Sequence, residues 1–186
     1  MRAYTRRLPH WDSIGAPLFV TFRLHGSLPA SRVFPPARVS NGRAFVAMDR
    51  LLDAARLGPV YLKQPSIANL VMQSLFDGQR RFRRYTLHAF VIMPNHVHML
   101  VESAAPMSRW LGPLKGFTGH KANEALGLGG AFWQDESYDR LVRNDEEFDR
   151  IRRYIENNPG TAGLVCTPEA YRWSSAGQSP AAAPKG

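Results

Sequence analysis

The 186-residue sequence holds one cysteine, Cys166, and 4 lysines against 20 arginines. A lone thiol can neither close an intrachain disulfide nor build a zinc site that needs two or more cysteines. Acidic residues are scarce: 15 Asp and Glu stand against 24 Lys and Arg, for a net charge of +9. Long apolar runs are missing too, since nothing approaches the roughly 18 consecutive apolar residues of a membrane span. The opening MRAYTRRLPHWD is basic without an apolar stretch, so no secretory leader is expected and the cytoplasm is the expected compartment. With 44% hydrophobic and 21% charged residues, wholesale disorder, a collagen-like chain and a coiled-coil rod are excluded.

What is present is arginine, in a chain about one domain long. The planar guanidinium suits bidentate phosphate contacts, so nucleic acid is the expected partner. The competing explanation is solvated charge with a compositional preference for arginine.

The hydrophobic pattern sets the architecture. Residues 17–28, PLFVTFRLHGSL, alternate as a strand with Val20, Phe22 and Leu24 on one face. Three prolines make 29–40 a loop. Helical spacing over 44–57 runs through Phe45, Met48, Leu51, Leu52 and Ala55 and stops at Gly58-Pro59. Ser66 caps a second expected helix, to about Gly78. YTLHAFVIM (85–93) and HVHMLVE (96–102) read as strands of a tight hairpin at the centre of the core, turning at Pro94-Asn95. A long helix is expected from Pro106 to about Leu126 with Trp110, Leu111, Leu114 and Phe117 inward. Phe132 to Gln134 and Tyr138 to Val142 form a short strand or two, and Asp145 caps a last helix that ends before Pro159-Gly160. The expectation is an α+β fold, an antiparallel ferredoxin/RRM-like sheet with helices on one or both faces. One domain spans 1–173, with a variable insert at 28–65 and a flexible tail at 174–186.

Candidate chemistry sits in two places. His96 and His98 are two apart on a strand, so both imidazoles face one way, while Val97, Met99 and Val101 face the other. Burying two imidazoles on a central strand is unfavourable without partners, which suggests a metal. On the last helix Arg150, Tyr154 and Asn158 recur every four residues and share a face. Tyr154 offers a nucleophilic phenol and Asn158 an amide oxygen for a hard cation. Alternatively, Tyr154 packs at the core margin and Asn158 caps the helix. Phe132 and Trp133 are either base-stacking or core aromatics; His10, His25, His88 and His120 read as ordinary histidines.

VIMPNHVHMLV together with YIENNP resembles the single-tyrosine HUH transposases, and among them the REP-associated tyrosine transposases. VTFRLHGSLP, LKGFTGHKAN and FWQDESYDRLVRNDEEFDRIRRYIENNP extend the resemblance from about Tyr4 to Trp173. It implies an HUH endonuclease palm, with His96, His98 and Asn158 holding Mg²⁺ or Mn²⁺. It implies that Tyr154 cleaves single-stranded DNA to a 5′-phosphotyrosine and a free 3′-OH, and that another 3′-OH rejoins the strand. The implied substrates are single-stranded DNA and REP-type hairpins, handled by a monomer rather than a dimer. Arg6, Arg7, Lys115, Lys121, Arg152 and Arg153, on elements expected to flank the site, are candidate phosphate contacts. The alternative is a non-catalytic hairpin-binding regulator on the same fold.

Overall fold

The computed structural model describes residues 2–5, 9–12, 14–28, 49–52 and 58–178. The loop expected at 29–40, most of the helix expected at 44–57, Arg6, Arg7 and residues 179–186 lie outside the described residues. The strands are β1 (Arg2–Thr5), β2 (Pro9–Asp12), β3 (Pro17–Arg23), β4 (Tyr85–Ile92), β5 (His96–Ser103) and β6 (Tyr138–Leu141). The helices are α1 (Pro65–Arg80), α2 (Leu111–Leu126) and α3 (Asp145–Thr161), and residues 49–52 are also helical. None of these helices is long and apolar enough to cross a membrane.

An antiparallel sheet in the order β4-β5-β3-β6 forms the centre, and β1 and β2 make a separate antiparallel pair that the hydrophobic pattern did not suggest. The expected hairpin is present, but only β5 is central. The outer edge of β4 is taken up by the chain's C-terminal segment: Ile92 N–H donates to Trp173 O at 2.8 Å and Ser175 N–H to Phe90 O at 2.9 Å. Ser174 is fully buried and bridges Val91. Packed chain therefore continues past the expected boundary at Trp173, because an open strand edge leaves backbone groups unpaired.

The period-two alternation sorts the two faces. Val20, Phe22, Val97, Met99 and Val101 pack with Val71 and Leu75 of α1 and Leu111 of α2. Phe19, Val91 and Leu100 pack on the other face with Leu52, and with Ile151 and Ile155 of α3. Burying each such side chain contributes about 1.5–3 kcal/mol. Phe117, expected inward on α2, is instead 55% exposed.

Helix ends differ from the sequence expectation in instructive ways. At α1, Gln64 occupies the cap without a side-chain bond and Pro65 fills the first turn, where its missing N–H costs nothing. At α3, Asn144 rather than Asp145 is the cap: its Oδ1 accepts from Glu147 N–H at 2.8 Å. Glu147 reaches back to accept from Arg143 N–H at 3.0 Å, a variant of the capping box, and pairs with Arg140 of β6. The helix does not stop before Pro159 but runs to Thr161, since proline so near the end sacrifices a single intrahelical bond. Gly163, at φ 71°, then turns the chain out in the left-handed conformation. The extra turn keeps Asn158 helical, one turn beyond Tyr154.

Candidate active site

The β4–β5 turn brings the first ligand group into place. Asn95, fully buried, donates from Nδ2 to Leu52 O at 2.9 Å. That leaves its Oδ1, an acceptor only, facing His96 Nδ1 at 2.7 Å. His96 Nδ1 therefore carries the hydrogen, which places the lone pair of the neutral ring on Nε2, facing His98. On β5 two residues later, His98 shares a 2.7 Å hydrogen bond through Nδ1 with Thr21 Oγ1 of β3, its cross-strand partner. With Nδ1 held by the hydroxyl, His98 Nε2 points into the cluster, 3.1 Å from the Asp49 carboxylate. The two Nε2 atoms lie 3.1 Å apart. Adjacent nitrogens on one cation at about 2.1 Å would be separated by about 3 Å, so the spacing fits shared coordination.

Tyr154 and Asn158 arrive from α3, on the same side of the sheet. The His98 and Tyr154 ring centroids are 5.9 Å apart, and Phe19 sits edge-on to Tyr154 at 6.3 Å. Tyr154 is half-buried, while Asn158 is 3% exposed and both histidines are fully buried. Asn158 Oδ1 is buried without a hydrogen-bond partner. A buried amide oxygen left without a donor is costly in an apolar setting and is a ready cation ligand.

A fourth group was not expected from the sequence. Asp49 places its buried carboxylate in the middle of the cluster. Oδ2 lies 3.1 Å from His98 Nε2, accepts from Tyr154 Oη, and lies 3.4 Å from Asn158 Nδ2. Oδ1 is 3.6 Å from His96 Nε2 and accepts no hydrogen bond. Ligand atoms of Asp49, His96 and His98 lie within 4.8 Å of one another, a set that can hold a metal ion. Burial alone would raise the Asp49 carboxyl, but His98 above all, with His96 and Tyr154, offsets this and holds it below the usual carboxylate range. Burial, with His98 adding to it, pushes the His96 imidazole well below its ordinary value, so it is neutral and available as a ligand. In the sequence Asp49 reads only as a polar position of an amphipathic helix; no spacing rule connects it to a strand 47 residues on.

Among the described residues, the expected DNA contacts Lys115, Lys121, Arg152 and Arg153 are not gathered here. Lys115 donates to the Gln134 and Asp135 carbonyls at 2.7 Å each, and Lys121 pairs with Glu124 at 2.8 Å. Both belong to α2, across the sheet from the cluster, so neither flanks the site as expected. Arg152, 3.6 Å from Asp149, and Arg153 are exposed on the outer side of α3. Arg150, which opens the Tyr154–Asn158 stripe, is 62% exposed and lies 3.7 Å from Glu147. Phe132 and Trp133 are core: Trp133 packs edge-on to Phe22 at 4.8 Å and donates to Thr118 Oγ1.

Comparison with known proteins places this geometry in context. A family model described as IS200-like transposase matches residues 66–158, half of the chain. That span contains His96, His98, Tyr154 and Asn158 but not Asp49. A REP-associated tyrosine transposase bound to a REP hairpin has a similar fold, at a TM-score of 0.60 and 18% identity over 94% of this chain and 82% of that one. A crystal structure from Deinococcus radiodurans R1, presented as a candidate transposase, gives a TM-score of 0.43 and 15% identity over 85% of this chain and 98% of that one. Among curated proteins no sequence gives a significant match.

Proposed function

The chain belongs to the IS200-like transposase family, and from that membership we propose that it cleaves and rejoins single-stranded DNA at REP-type hairpins through Tyr154. The observation that carries this reading is the placement of the Tyr154 phenol against a buried pair of imidazoles whose Nε2 atoms converge. The REP-hairpin complex of the similarly folded transposase supports the choice of substrate. His96 and His98, with Asn158 as the amide ligand, would hold Mg²⁺ or Mn²⁺. The bound cation supplies polarisation of the scissile phosphate and compensates the charge that develops there.

The protein's own groups do the rest. Tyr154 Oη loses its proton and attacks phosphorus; the new O–P bond forms as the P–O3′ bond breaks, and the departing 3′ oxygen takes up a proton. The products are a 5′-phosphotyrosine and a 3′-OH, and attack by a second 3′-OH reverses the step. Phe19 and the apolar face of α3 fix the direction of the phenol, which shortens the search for an in-line approach. His96, His98, Tyr154 and Asn158 meet within one chain, so this reading needs no residue from a second copy, and a monomer acting in the cytoplasm is part of the proposal.

The test uses labelled single-stranded hairpins from repeats flanking the gene, with Mg²⁺ or Mn²⁺. Wild type is expected to form a covalent protein–DNA adduct, and Tyr154→Phe and His96→Ala are expected to form none. Tight hairpin binding by wild type with no adduct on any substrate would instead establish a non-catalytic regulator.

A further inference from the structure

We propose that Asp49 is the anionic ligand of the metal site and the side chain that ties the nucleophile Tyr154 to it. The inference rests on the two-histidine reading above and adds to it a residue from the insert, outside the segment matched by the family model. A fully buried aspartate is rare unless it is paired. Among the described residues no lysine or arginine reaches Asp49; its neighbours are His96, His98, Tyr154 and Asn158. Oδ1 accepts no hydrogen bond and Asn158 Oδ1 has no donor. Two buried acceptor oxygens beside two buried imidazoles form a donor set that suits a cation, because each oxygen without a donor carries a desolvation penalty that a positive charge would offset.

The chemistry of the set changes with Asp49. Two imidazoles and an amide are neutral ligands and leave a divalent cation at +2. A carboxylate lowers that to +1 and makes the set two nitrogen and two oxygen donors, which favours Mn²⁺ over softer ions. The carboxylate also does a second job through Oδ2, which accepts from Tyr154 Oη and lies 3.1 Å from His98 Nε2. One side chain thus fixes the distance between nucleophile and cation. Its own position is set by the same segment's bond from Asn95 to Leu52 O.

The experiment measures Mn²⁺ binding to the full chain by calorimetry and by the electron paramagnetic resonance of free Mn²⁺. The variants are Asp49→Asn, Asp49→Glu and His96→Ala. Asp49→Asn is expected to lose at least about tenfold in Mn²⁺ affinity, the floor set by losing even an outer-shell partner, and Asp49→Glu to recover part of it. At saturating Mn²⁺ the Asn variant is expected to form the DNA adduct at least about tenfold more slowly with unchanged DNA affinity, the pattern of a lost positioning contact. Thermal midpoints without metal control for folding, and Asp49→Ala serves if the amide does not pack. Mn²⁺ affinity equal to wild type in the Asn variant, alongside loss in His96→Ala, overturns the ligand role and leaves the two-histidine site standing. An unchanged adduct rate overturns the tie to Tyr154. Wild type whose Mn²⁺ binding is insensitive to His96→Ala overturns the metal reading itself.

Discussion

Thr21 decides how His98 presents itself. Its hydroxyl, fully buried on β3, is the 2.7 Å partner of His98 Nδ1 and directs Nε2 into the cluster. Thr21→Val keeps the shape and deletes the hydroxyl, leaving a ring nitrogen buried without a partner. Removing one member of a buried pair costs about 1–3 kcal/mol, and loss of an outer-shell partner typically weakens metal binding about 10–100-fold. The expected outcome is a chain still folded at 25 °C whose Mn²⁺ affinity, measured by calorimetry, falls within that range. Affinity equal to wild type would mean that strand geometry alone orients the ring. At this scale the sequence disclosed much: His96, His98, Tyr154 and Asn158 were legible because strand and helix periodicities place each pair on one face. Thr21, Asn95 and Asp49 were not, because hydrogen bonding between distant segments leaves no periodic trace.

The elements position the site through packing on the opposite face. Gly78, near the end of α1, leaves room for the Tyr85 side chain of β4: a Cβ there would stand 2.2 Å from Tyr85 Oη. Two effects oppose each other in Gly78→Ala. Helix propensity favours alanine by about 1 kcal/mol. The clash pushes the phenol off its 2.9 Å hydrogen bond to Leu75 O and opens the α1–β4 contact, and overpacking of this kind costs about 1–3 kcal/mol. The clash wins because the phenol is buried and pinned at both ends. Urea unfolding should show net destabilisation of about 1–3 kcal/mol, the lost hydrogen bond offsetting the propensity gain, with Mn²⁺ affinity per folded molecule unchanged, since the site lies across the sheet. The helices and the hairpin were readable from hydrophobic spacing. Their ends were not, because Pro159 and the competing caps Asn144 and Asp145 are resolved by neighbours rather than by propensity. The fold class was equally readable, while the strand order was not: the place of β4 depends on what covers its edge.

At the scale of the whole molecule, closure comes from the C-terminal segment, of which the sequence suggested Tyr171 to Trp173 as the end of the domain and the residues from 174 on as a flexible tail. Tyr171 seats that segment by donating from its hydroxyl to Ile92 O at 2.8 Å, at the end of β4 that leads into the His96 turn. Burial pushes the Tyr171 phenol up to about 12, and Tyr85, buried under α1 near an acidic Asp77, is also raised. In the unfolded chain both would titrate near the ordinary tyrosine value of about 10. A group whose folded pKa is raised binds its proton more tightly when folded. Its contribution is therefore fully present below about 10 and is lost as pH rises from there through about 12. The thermal midpoint should be insensitive to these two tyrosines up to about pH 9 and fall steeply above pH 10. Tyr171→Phe should lower stability by about 1 kcal/mol at pH 8, through the lost hydrogen bond. It should also flatten the alkaline fall, because one of the two protons that drive it is gone. The scan reads both at once: an unchanged alkaline slope in the variant would mean that the phenol titrates freely, and that the segment is held by Ser174, Ser175 and the Trp173 carbonyl without it.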